Sequence, residues 1–314
     1  MSHVSPVVVA IVGPTATGKS ALGIALAQRF GGEVVNCDST AVYRGFDIGT
    51  DKVASDERQG VPHHLIDIVE PSETYSAARY ARDAAAIIHD IVTRGRLPIV
   101  VGGTGLYYRA LTRGLFPGPA RDDRLRGRLE TVARRHGVER LHRLLREKDP
   151  ASGARVLPRD LKRIVRALEV YYLTGRPISD HFADTRSPLE GHEVVTLAIS
   201  LSSALIGERV ARRVDLQFDR GIVQEVRRLL DAGVPDTAHP FSGLVYKQVL
   251  EFLHGVRDEA ATRALIVQEN RRYARRQLIW FRKEPNLLWL HEPGEASSTI
   301  ERAVAALRER GVVR

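Results

Sequence analysis

The feature that most constrains this chain is the segment GPTATGKS at residues 13–20, which follows the apolar run VVVAIV and precedes KSALGIALAQRF. It matches G-x-x-x-x-G-K-[ST] completely, a loop whose glycines let backbone N–H groups turn inward around phosphate oxygens. The N-terminus of the following helix adds a partial positive charge. A strand, a glycine-rich turn and a helix in this order open an α/β unit. We therefore predict a phosphate-binding loop formed by Gly13, Pro14, Thr15, Ala16, Thr17, Gly18, Lys19 and Ser20.

The chemistry of this loop specifies its ligand only as a di- or triphosphate. We expect Lys19 to reach the terminal phosphate and Ser20 to offer its hydroxyl to Mg²⁺, which prefers phosphate oxygens and keeps most of its waters. Hydrolysis of ATP or GTP usually needs an acidic residue at the end of a second apolar strand. Here the run PIVV ends in Gly-Gly-Thr, and Asp67 lies in a segment with only a weak strand pattern. The sequence therefore supports phosphate binding well and nucleotide hydrolysis poorly.

Apolar runs without alternation, separated by helical segments, predict a parallel sheet covered by helices on both faces. The predicted strands are at 7–12, 33–37, 98–101, 193–201 and 287–290. Residues 118–190 are arginine-rich and helical in pattern, and we predict no strand within them. The predicted fold class is α/β: a P-loop parallel sheet flanked by helices, with an inserted all-helical domain. We place the P-loop catalytic core at 1–117 and 191–314 and the insertion at 118–190.

The single cysteine, Cys37, excludes an intramolecular disulfide framework and any cysteine-rich zinc site, which suits a reducing compartment. The first apolar run has no basic segment before it and ends at the glycine-rich turn, so we interpret it as a strand rather than a signal peptide. No stretch approaches the roughly 18 apolar residues of a membrane span. We expect a cytoplasmic protein that is a monomer and has no membrane partner.

The net charge of +9 is unevenly distributed along the chain. The first 120 residues contain 11 basic and 11 acidic residues, and 41 of the 47 basic residues in the chain are arginine. The excess is concentrated in three segments, 121–146, 159–166 and 271–283. Arginine binds phosphate through a planar, bidentate guanidinium, so this distribution favours a nucleic acid partner over simple compositional bias.

Asp38 lies at the carboxyl end of the second predicted strand, where open parallel sheets bind their ligands. It begins a polar loop, DSTAVYRGFDIGT. From its position alone, this carboxylate could act as a general base, bind a metal, hold a substrate hydroxyl as in small-molecule kinases, or cap a helix or turn.

Six segments in order resemble the tRNA dimethylallyltransferase family, also called tRNA isopentenyltransferases, of bacterial type. They are GPTATGKS, DSTAVYRGFDIGTDK, VPHHLIDIVEPSETYSAARYARDA, VGGTGLYYRAL, RALEVYYLTGRPIS and RRQLIWFRK, and they extend from about residue 7 to about residue 290. The resemblance implies transfer of a dimethylallyl group from dimethylallyl diphosphate to N6 of adenosine 37 in the anticodon stem-loop of tRNA, with release of diphosphate. The phosphate loop would then hold the diphosphate of the prenyl donor.

The resemblance also implies roles for individual residues. Asp38 matches the proposed base for the N6 proton, and Thr104 matches a threonine near the reacting centre, although capping the next helix is an alternative role. Arg209 and Arg213 are four residues apart and match an R-x-x-x-R diphosphate clamp, or else they are two solvated surface arginines. The tRNA contacts implied by the family are Asp38, Ser39, Thr40, Ala41, Thr104, Arg126, Lys162, Arg163, Ile164, Val165, Arg166, Ser242, Gly243, Leu244, Val245, Tyr246 and Lys247.

One departure from the family pattern concerns the last of these segments. The family commonly has Leu-Gly-Tyr where this chain has Leu244-Val245-Tyr246. If that glycine serves a positive φ, the β-branched Val245 is strained there.

Two alternatives to a tRNA prenyltransferase remain on the sequence. A P-loop small-molecule kinase using ATP explains the loop and Asp38 but leaves the basic segments unexplained. A non-catalytic RNA-binding protein that uses nucleotide as a switch predicts no turnover of a prenyl donor. Within the basic segment 271–283, we predict that Trp280 and Phe281 are core anchors rather than platforms for base stacking.

Overall fold

The computed structural model describes residues 5–312 and contains one six-stranded sheet in which every pair of neighbouring strands is parallel. The strands are β1 (Val7–Val12), β2 (Gly32–Asn36), β3 (His63–His64), β4 (Leu97–Gly102), β5 (Glu193–Ile199) and β6 (Leu287–Leu290). Their order across the sheet is β3-β2-β4-β1-β5-β6. Because all run in one direction, the loops that follow β1, β2, β4 and β5 meet at one edge of the sheet. The predicted α/β parallel sheet is confirmed.

The helices in the first part of the chain are α1 (Lys19–Phe30), α2 (Ala77–Thr93), α3 (Gly105–Thr112), α4 (Asp123–His136), α5 (Val138–Lys148), α6 (Pro150–Arg155), α7 (Leu161–Thr174) and α8 (Ile178–His181). Those after β4 and the insertion are α9 (Ser203–Asp219), α10 (Ile222–Asp231), α11 (Tyr246–Leu253), α12 (Glu259–Phe281) and α13 (Ser297–Glu309). None of the helices within residues 5–312 is both long and apolar enough to cross a membrane.

Two apolar cores lie on opposite faces of the sheet. Val8, Ala10 and Val12 of β1 belong to one core, and Val9 and Ile11 belong to the other. Successive side chains of a strand point to opposite faces, so a strand buried on both sides has no polar alternation. This explains why the β1 run is apolar throughout. The first core also contains buried residues of α2, α3 and α11, and the second contains those of α1 and α13.

The chain divides into two compact units. One is Arg113–Ser187, and the other comprises the rest of the described chain, including the whole sheet. The helical unit begins at Arg113 rather than 118 and ends at Ser187 rather than 190. Its core is formed by apolar residues of α4, α5 and α7, among them Leu129, Leu145, Ile164, Val165 and Leu168.

The two-residue strand β3 has no apolar pattern, so the sequence does not predict it. It is too short for periodicity to be recognised. The following segment, with its weak strand pattern, is not a strand: Leu65 and Asp67 have φ values of 61° and 56°, which no strand residue adopts. Asp67 is instead bound by Lys52, with 2.5 Å between Nζ and Oδ1. Asp67 therefore does not follow a second apolar strand, which is where nucleotide hydrolases usually have their metal-binding acid.

Candidate active site

The phosphate loop connects β1 to α1, and its backbone conformation requires glycine at two positions. Gly13 and Gly18 have φ values of 139° and 86°. A Cβ on Gly18 would lie 2.0 Å from Glu295 Oε2 and 2.7 Å from the backbone nitrogen of Gly294. Because those atoms belong to the β6–α13 loop, glycine is required for this loop to pack against the phosphate loop. The Gly294 N–H donates to the Thr17 carbonyl at 2.9 Å.

Lys19 begins α1 and folds back over the loop, where its Nζ donates to the Pro14 carbonyl at 2.5 Å. Burial and, next, the charge of Arg213 lower the pKa of Lys19 to about 8, although Asp38 acts in the opposite direction. Lys19, Ser20 and Asp38 line the same cavity of about 200 Å³. The loop therefore surrounds a small positively charged space at the N-terminus of a helix, which suits a phosphate group.

Asp38 and Thr104 follow the neighbouring strands β2 and β4, and their loops are hydrogen bonded to each other. Oδ1 of Asp38 accepts hydrogen bonds from Thr40 N at 2.9 Å and from Thr40 Oγ1 at 2.6 Å. Thr104 Oγ1 accepts from Ser39 N at 3.0 Å and donates to Ser39 Oγ at 3.3 Å. Asp38 thus caps its own turn while facing the cavity, and the Thr104 hydroxyl holds the Asp38 loop.

Arg209 and Arg213 lie on α9 and contact the phosphate loop, so they are not two solvated surface arginines. Arg209 Nε donates to the Ala16 carbonyl at 2.6 Å, and Arg209 also forms an ion pair with Glu295 at 2.6 Å. Arg213 donates to Thr15 Oγ1 at 2.8 Å and forms an ion pair with Asp51 at 3.0 Å. Burial raises the pKa of Asp51, and Arg213 partly offsets this effect. Both guanidinium groups are held beside the loop by carboxylates.

A larger cleft of about 690 Å³ adjoins the small cavity, and Thr15, Asp38, Thr50, Asp51 and Arg213 line both. Other residues of the larger cleft come from the 242–248 segment and from α12, including Ser242, Gly243, Leu244, Val245, Lys247, Gln248, Asn270, Tyr273 and Arg276. The cleft is large enough for a nucleobase and its neighbours. Asp38 therefore lies where a phosphate cavity opens into a space of the size of a nucleoside.

The segment 242–247 contains both exposed and buried residues. Ser242 and Lys247 are exposed, whereas Val245 and Tyr246 are buried, as is Ala41 on the Asp38 loop. Val245 has φ 74° and ψ −60°, the conformation of a strained γ-turn. The strain expected for a β-branched residue in place of the family glycine is therefore present. The Tyr246 hydroxyl donates to Glu225 Oε1 at 2.5 Å, so its buried side chain anchors the segment.

In the helical unit, the predicted tRNA contacts fall into three groups. Ile164 and Val165 lie in the apolar core, so their side chains do not face tRNA, contrary to the prediction. They lie there because a helix at the surface must bury one face. Lys162 and Arg163 are exposed on the first turn of α7. Arg126 is bound to Glu169 in a bidentate manner, at 2.8 and 2.9 Å, and Arg166 binds the same carboxylate at 2.6 Å.

The exposed face of α12 carries a basic stripe. Arg271, Arg272, Arg275 and Arg276 on the helix, with Arg282 and Lys283 just after it, are exposed. Phe281 is buried, and Trp280 packs edge-on against it with ring centroids 4.9 Å apart. The prediction that these two aromatic residues are core anchors is confirmed.

Several residues that complete the site are not among those predicted from the sequence. Asp51 and Glu295 hold the two arginines, Gln277 contacts the phosphate loop, and Tyr273 lines the cleft. Burial, and then the negative charge of Asp38, raise the pKa of Tyr273, so its hydroxyl stays protonated beside Asp38 at neutral pH. Of these, Asp51 and Gln277 lie in segments that carry the family resemblance, but neither position in the sequence indicates a role.

Within residues 5–312, no group of three or more histidine, cysteine, aspartate or glutamate side chains is placed to hold a metal ion. The exposed Ser20 hydroxyl lines the phosphate cavity. A protein hydroxyl supplemented by phosphate oxygens and water is a coordination set that Mg²⁺ accepts. The residues present therefore fit a divalent ion that arrives with its phosphate ligand.

Fold and site together define a phosphate-loop α/β protein in which an acid after the second strand faces both a phosphate cavity and a nucleoside-sized cleft. The family models agree with this class: IPP transferase matches residues 41–284 and isopentenyl transferase matches residues 6–73. The chain belongs to the tRNA dimethylallyltransferase family of prenyltransferases.

Similar proteins cover nearly the whole chain. The tRNA dimethylallyltransferase of Solibacter usitatus is 46% identical over 94% of this chain and 96% of its own, and that of Geobacter metallireducens is 46% identical over 93% and 94%. The crystal structure of the tRNA isopentenylpyrophosphate transferase of Bacillus halodurans has a TM-score of 0.70, 36% identity, and coverage of 97% of this chain and 98% of that one. A eukaryotic dimethylallyltransferase acting on tRNA has a TM-score of 0.82 and 28% identity, with coverage of 98% and 80%. A small-molecule kinase is not favoured.

Proposed function

We propose that this protein transfers a dimethylallyl group from dimethylallyl diphosphate to N6 of adenosine 37 of tRNA and releases diphosphate. The single observation that carries the proposal is the position of Asp38, where the phosphate cavity opens into the nucleoside-sized cleft. A kinase also needs an acid near a phosphate loop, but the basic stripe of α12, which extends beyond this cleft, suits a long polyanion better than a small metabolite.

The donor side of the reaction is assigned to the phosphate loop. Its backbone N–H groups, Lys19, Arg209 and Arg213 bind the diphosphate and stabilise the charge that develops on it as the bond between C1 of the dimethylallyl group and the diphosphate oxygen breaks. The contacts of Arg209 with Ala16 and Arg213 with Thr15 support this role, because they place both guanidinium groups at the loop before any ligand binds. Preorganised charges of this kind need no rearrangement during the reaction.

The acceptor side is assigned to the loops after β2 and β4. N6 of adenosine attacks C1, and the new bond from N6 to C1 forms as the proton on N6 becomes acidic. Asp38 accepts that proton through Oδ2, since Oδ1 is engaged by Thr40. Thr104 acts near the reacting centre through its contact with the Asp38 loop.

Mg²⁺ is the proposed metal, and Ser20 its protein contact. When bound, it would neutralise part of the charge on the diphosphate leaving group.

The proposed RNA partner is the anticodon stem-loop, whose unstacked bases can enter a pocket at low cost. The exposed residues Ser242 and Lys247, Lys162 and Arg163, and the α12 stripe are the proposed contacts. In the proposed organisation, residues 118–190 contact tRNA and the P-loop core performs the chemistry. A monomer acting in the cytoplasm, where tRNA is found, is sufficient for this function.

The deciding experiment incubates the full chain with Mg²⁺, labelled dimethylallyl diphosphate and unmodified tRNA, and then maps the labelled nucleotide. We expect label at adenosine 37 and an equimolar release of diphosphate. A matched tRNA with guanosine at position 37 is the control and should stay unlabelled. Unlabelled RNA together with ATP-dependent phosphorylation of a metabolite would instead establish the kinase alternative.

A further inference from the structure

Gln277 makes two hydrogen bonds that connect three parts of the site. It lies on α12 and is buried, with 6% of its surface exposed. Its Oε1 accepts from the backbone N–H of Thr15 at 2.8 Å, and its Nε2 donates to the carbonyl of Gly103 at 2.9 Å. One side chain therefore joins the phosphate loop after β1, the loop after β4 and the helix that carries the basic stripe.

The groups on either side of this bridge belong to the proposed reaction. Thr15 holds Arg213 through its hydroxyl, so the donor contact continues from Gln277 to the diphosphate clamp. Gly103 directly precedes Thr104, whose hydroxyl holds the backbone of Ser39 next to Asp38. Gln277 thus connects the donor site, through Thr15 and Arg213, with the acceptor base, through the loop that carries Thr104.

At position 277, an amide side chain meets the requirements of both hydrogen bonds, to Thr15 and to Gly103. A Cβ on Gly103 would lie 2.3 Å from Gln277 Nε2, so the helix packs directly against the glycine backbone. The bridge needs one acceptor and one donor on a single planar group in a buried place. Glutamate keeps the acceptor toward Thr15 but loses the donor toward Gly103, and methionine has the length of glutamine but makes neither hydrogen bond.

We propose that Gln277 is a positioning residue that sets the spacing between the phosphate loop and the Thr104 loop, and that couples this spacing to the helix proposed to bind tRNA. The inference rests on the proposed prenyl transfer. Its physical basis is that a displacement of about 1 Å between reacting groups can cost about 10² in rate even when binding is retained. The expected effect is therefore on kcat rather than on the KM for either substrate.

The test compares Gln277→Met and Gln277→Glu with wild type, and uses Thr262→Val as the matched control. Thr262 is a buried polar residue of the same helix whose hydroxyl donates to the carbonyl of Asp258, the residue directly before α12, at 2.7 Å. Three quantities are measured on the full chain: hydrogen exchange of the Thr15 amide by NMR, the affinity for inorganic diphosphate with Mg²⁺, and steady-state kinetics with tRNA.

In Gln277→Met we expect Thr15 amide exchange to become at least about 10-fold faster and kcat to fall by about 10², with both KM values within about 3-fold of wild type. In Gln277→Glu, Thr15 stays protected while kcat still falls, because only the Gly103 contact is lost. Its added negative charge also weakens diphosphate binding. Thr262→Val leaves all three quantities near wild type.

Two results would overturn the inference: unchanged Thr15 exchange in Gln277→Met, or fast exchange with kcat within about 3-fold of wild type. A failure of the proposed function is distinguishable, because wild-type enzyme would then label no tRNA while Thr15 exchange and diphosphate binding still report on the bridge.

Discussion

Two pairs of arginines in this protein are each held by carboxylates, and the two sets of carboxylates differ in their exposure to water. Arg209 and Arg213 pair with Glu295 and Asp51, whose side chains are 44% and 26% exposed, and both guanidinium groups contact the phosphate loop. Arg126 and Arg166 pair with Glu169, whose side chain has no exposed surface. Glu295 is in contact with water and is released at low cost, and burial already disfavours the charge on Asp51, whereas the fully buried Glu169 depends on its two cations. The first pair is suited to exchange its partners for a ligand, and the second is suited to maintain the fold of the helical unit.

The largest expected effect is on the stability of the helical unit. Gln in place of Glu169 leaves Arg126 and Arg166 without a counterion, and we expect a loss of about 3 kcal/mol in the free energy of unfolding of that unit. Urea denaturation monitored by circular dichroism measures it, and Glu130→Gln, an exposed change on α4, is the control. A loss below about 1 kcal/mol would mean that the ion pairs of Glu169 with Arg126 and Arg166 do not stabilise the helical unit.

The matching change at the other pair is Arg213→Gln, for which we expect kcat/KM for the prenyl donor to fall by about 10² while the urea midpoint stays near wild type. Arg212→Gln, at an exposed neighbouring position on α9, is the control. If Arg213→Gln lowered stability as much as activity, the distinction between a ligand-binding pair and a structural pair would not hold.

The same comparison predicts a dependence of stability on pH. Burial raises the pKa of Glu169, but hydrogen bonds from Arg126, Arg166 and the Asp122 backbone outweigh it and lower the pKa from 4.5 to about 2. Because the folded pKa lies below the unfolded one, this stabilisation is fully present above about pH 4.5 and is lost as the pH falls toward 2. Glu33, whose pKa the Arg94 hydrogen bond lowers to about 2, contributes in the same window. Unfolding measured from pH 6 to 3 should show a smaller decline in Glu169→Gln than in wild type.

A smaller effect is expected at the strained Val245. Alanine and glycine both remove the two buried methyl groups of Val245, and glycine also removes the Cβ that makes the positive φ costly, so Val245→Gly should be more stable than Val245→Ala by about 1 kcal/mol. Thermal unfolding of the two variants measures the difference. Equal stabilities would mean that the γ-turn is not strained in solution.

The smallest effect concerns the α12 stripe. If Arg275 contacts an RNA phosphate, Arg275→Gln should flatten the slope of log Kd for tRNA against log salt by about one. Arg302→Gln, an exposed change on α13, should leave the slope unchanged. An unchanged slope in both variants would assign Arg275 to a solvated face.

The sequence predicted those parts of the fold that depend on neighbouring residues. β1, α1 and β6 have the predicted bounds, because continuous apolar runs and a glycine-rich turn specify them locally. β4 extends one residue beyond its predicted bounds, 98–101, at each end. β3 has no such pattern. Asp67 lies outside any strand, with a positive φ and an ion pair to Lys52, and the local sequence encodes neither.

By itself, the sequence determined the phosphate loop, the parallel sheet, the acid at the end of β2 and the family. The tertiary structure decided which polar residues hold these elements together. Gln277 is 262 positions from Thr15, and Arg213 is 198 positions from the same residue. Glu169 is 43 positions from Arg126. Periodicity and turn chemistry act over a few residues, whereas a hydrogen bond between distant segments exists only once the strand order has brought them together. A buried amide or carboxylate in an otherwise ordinary helix therefore acquires its role from the fold.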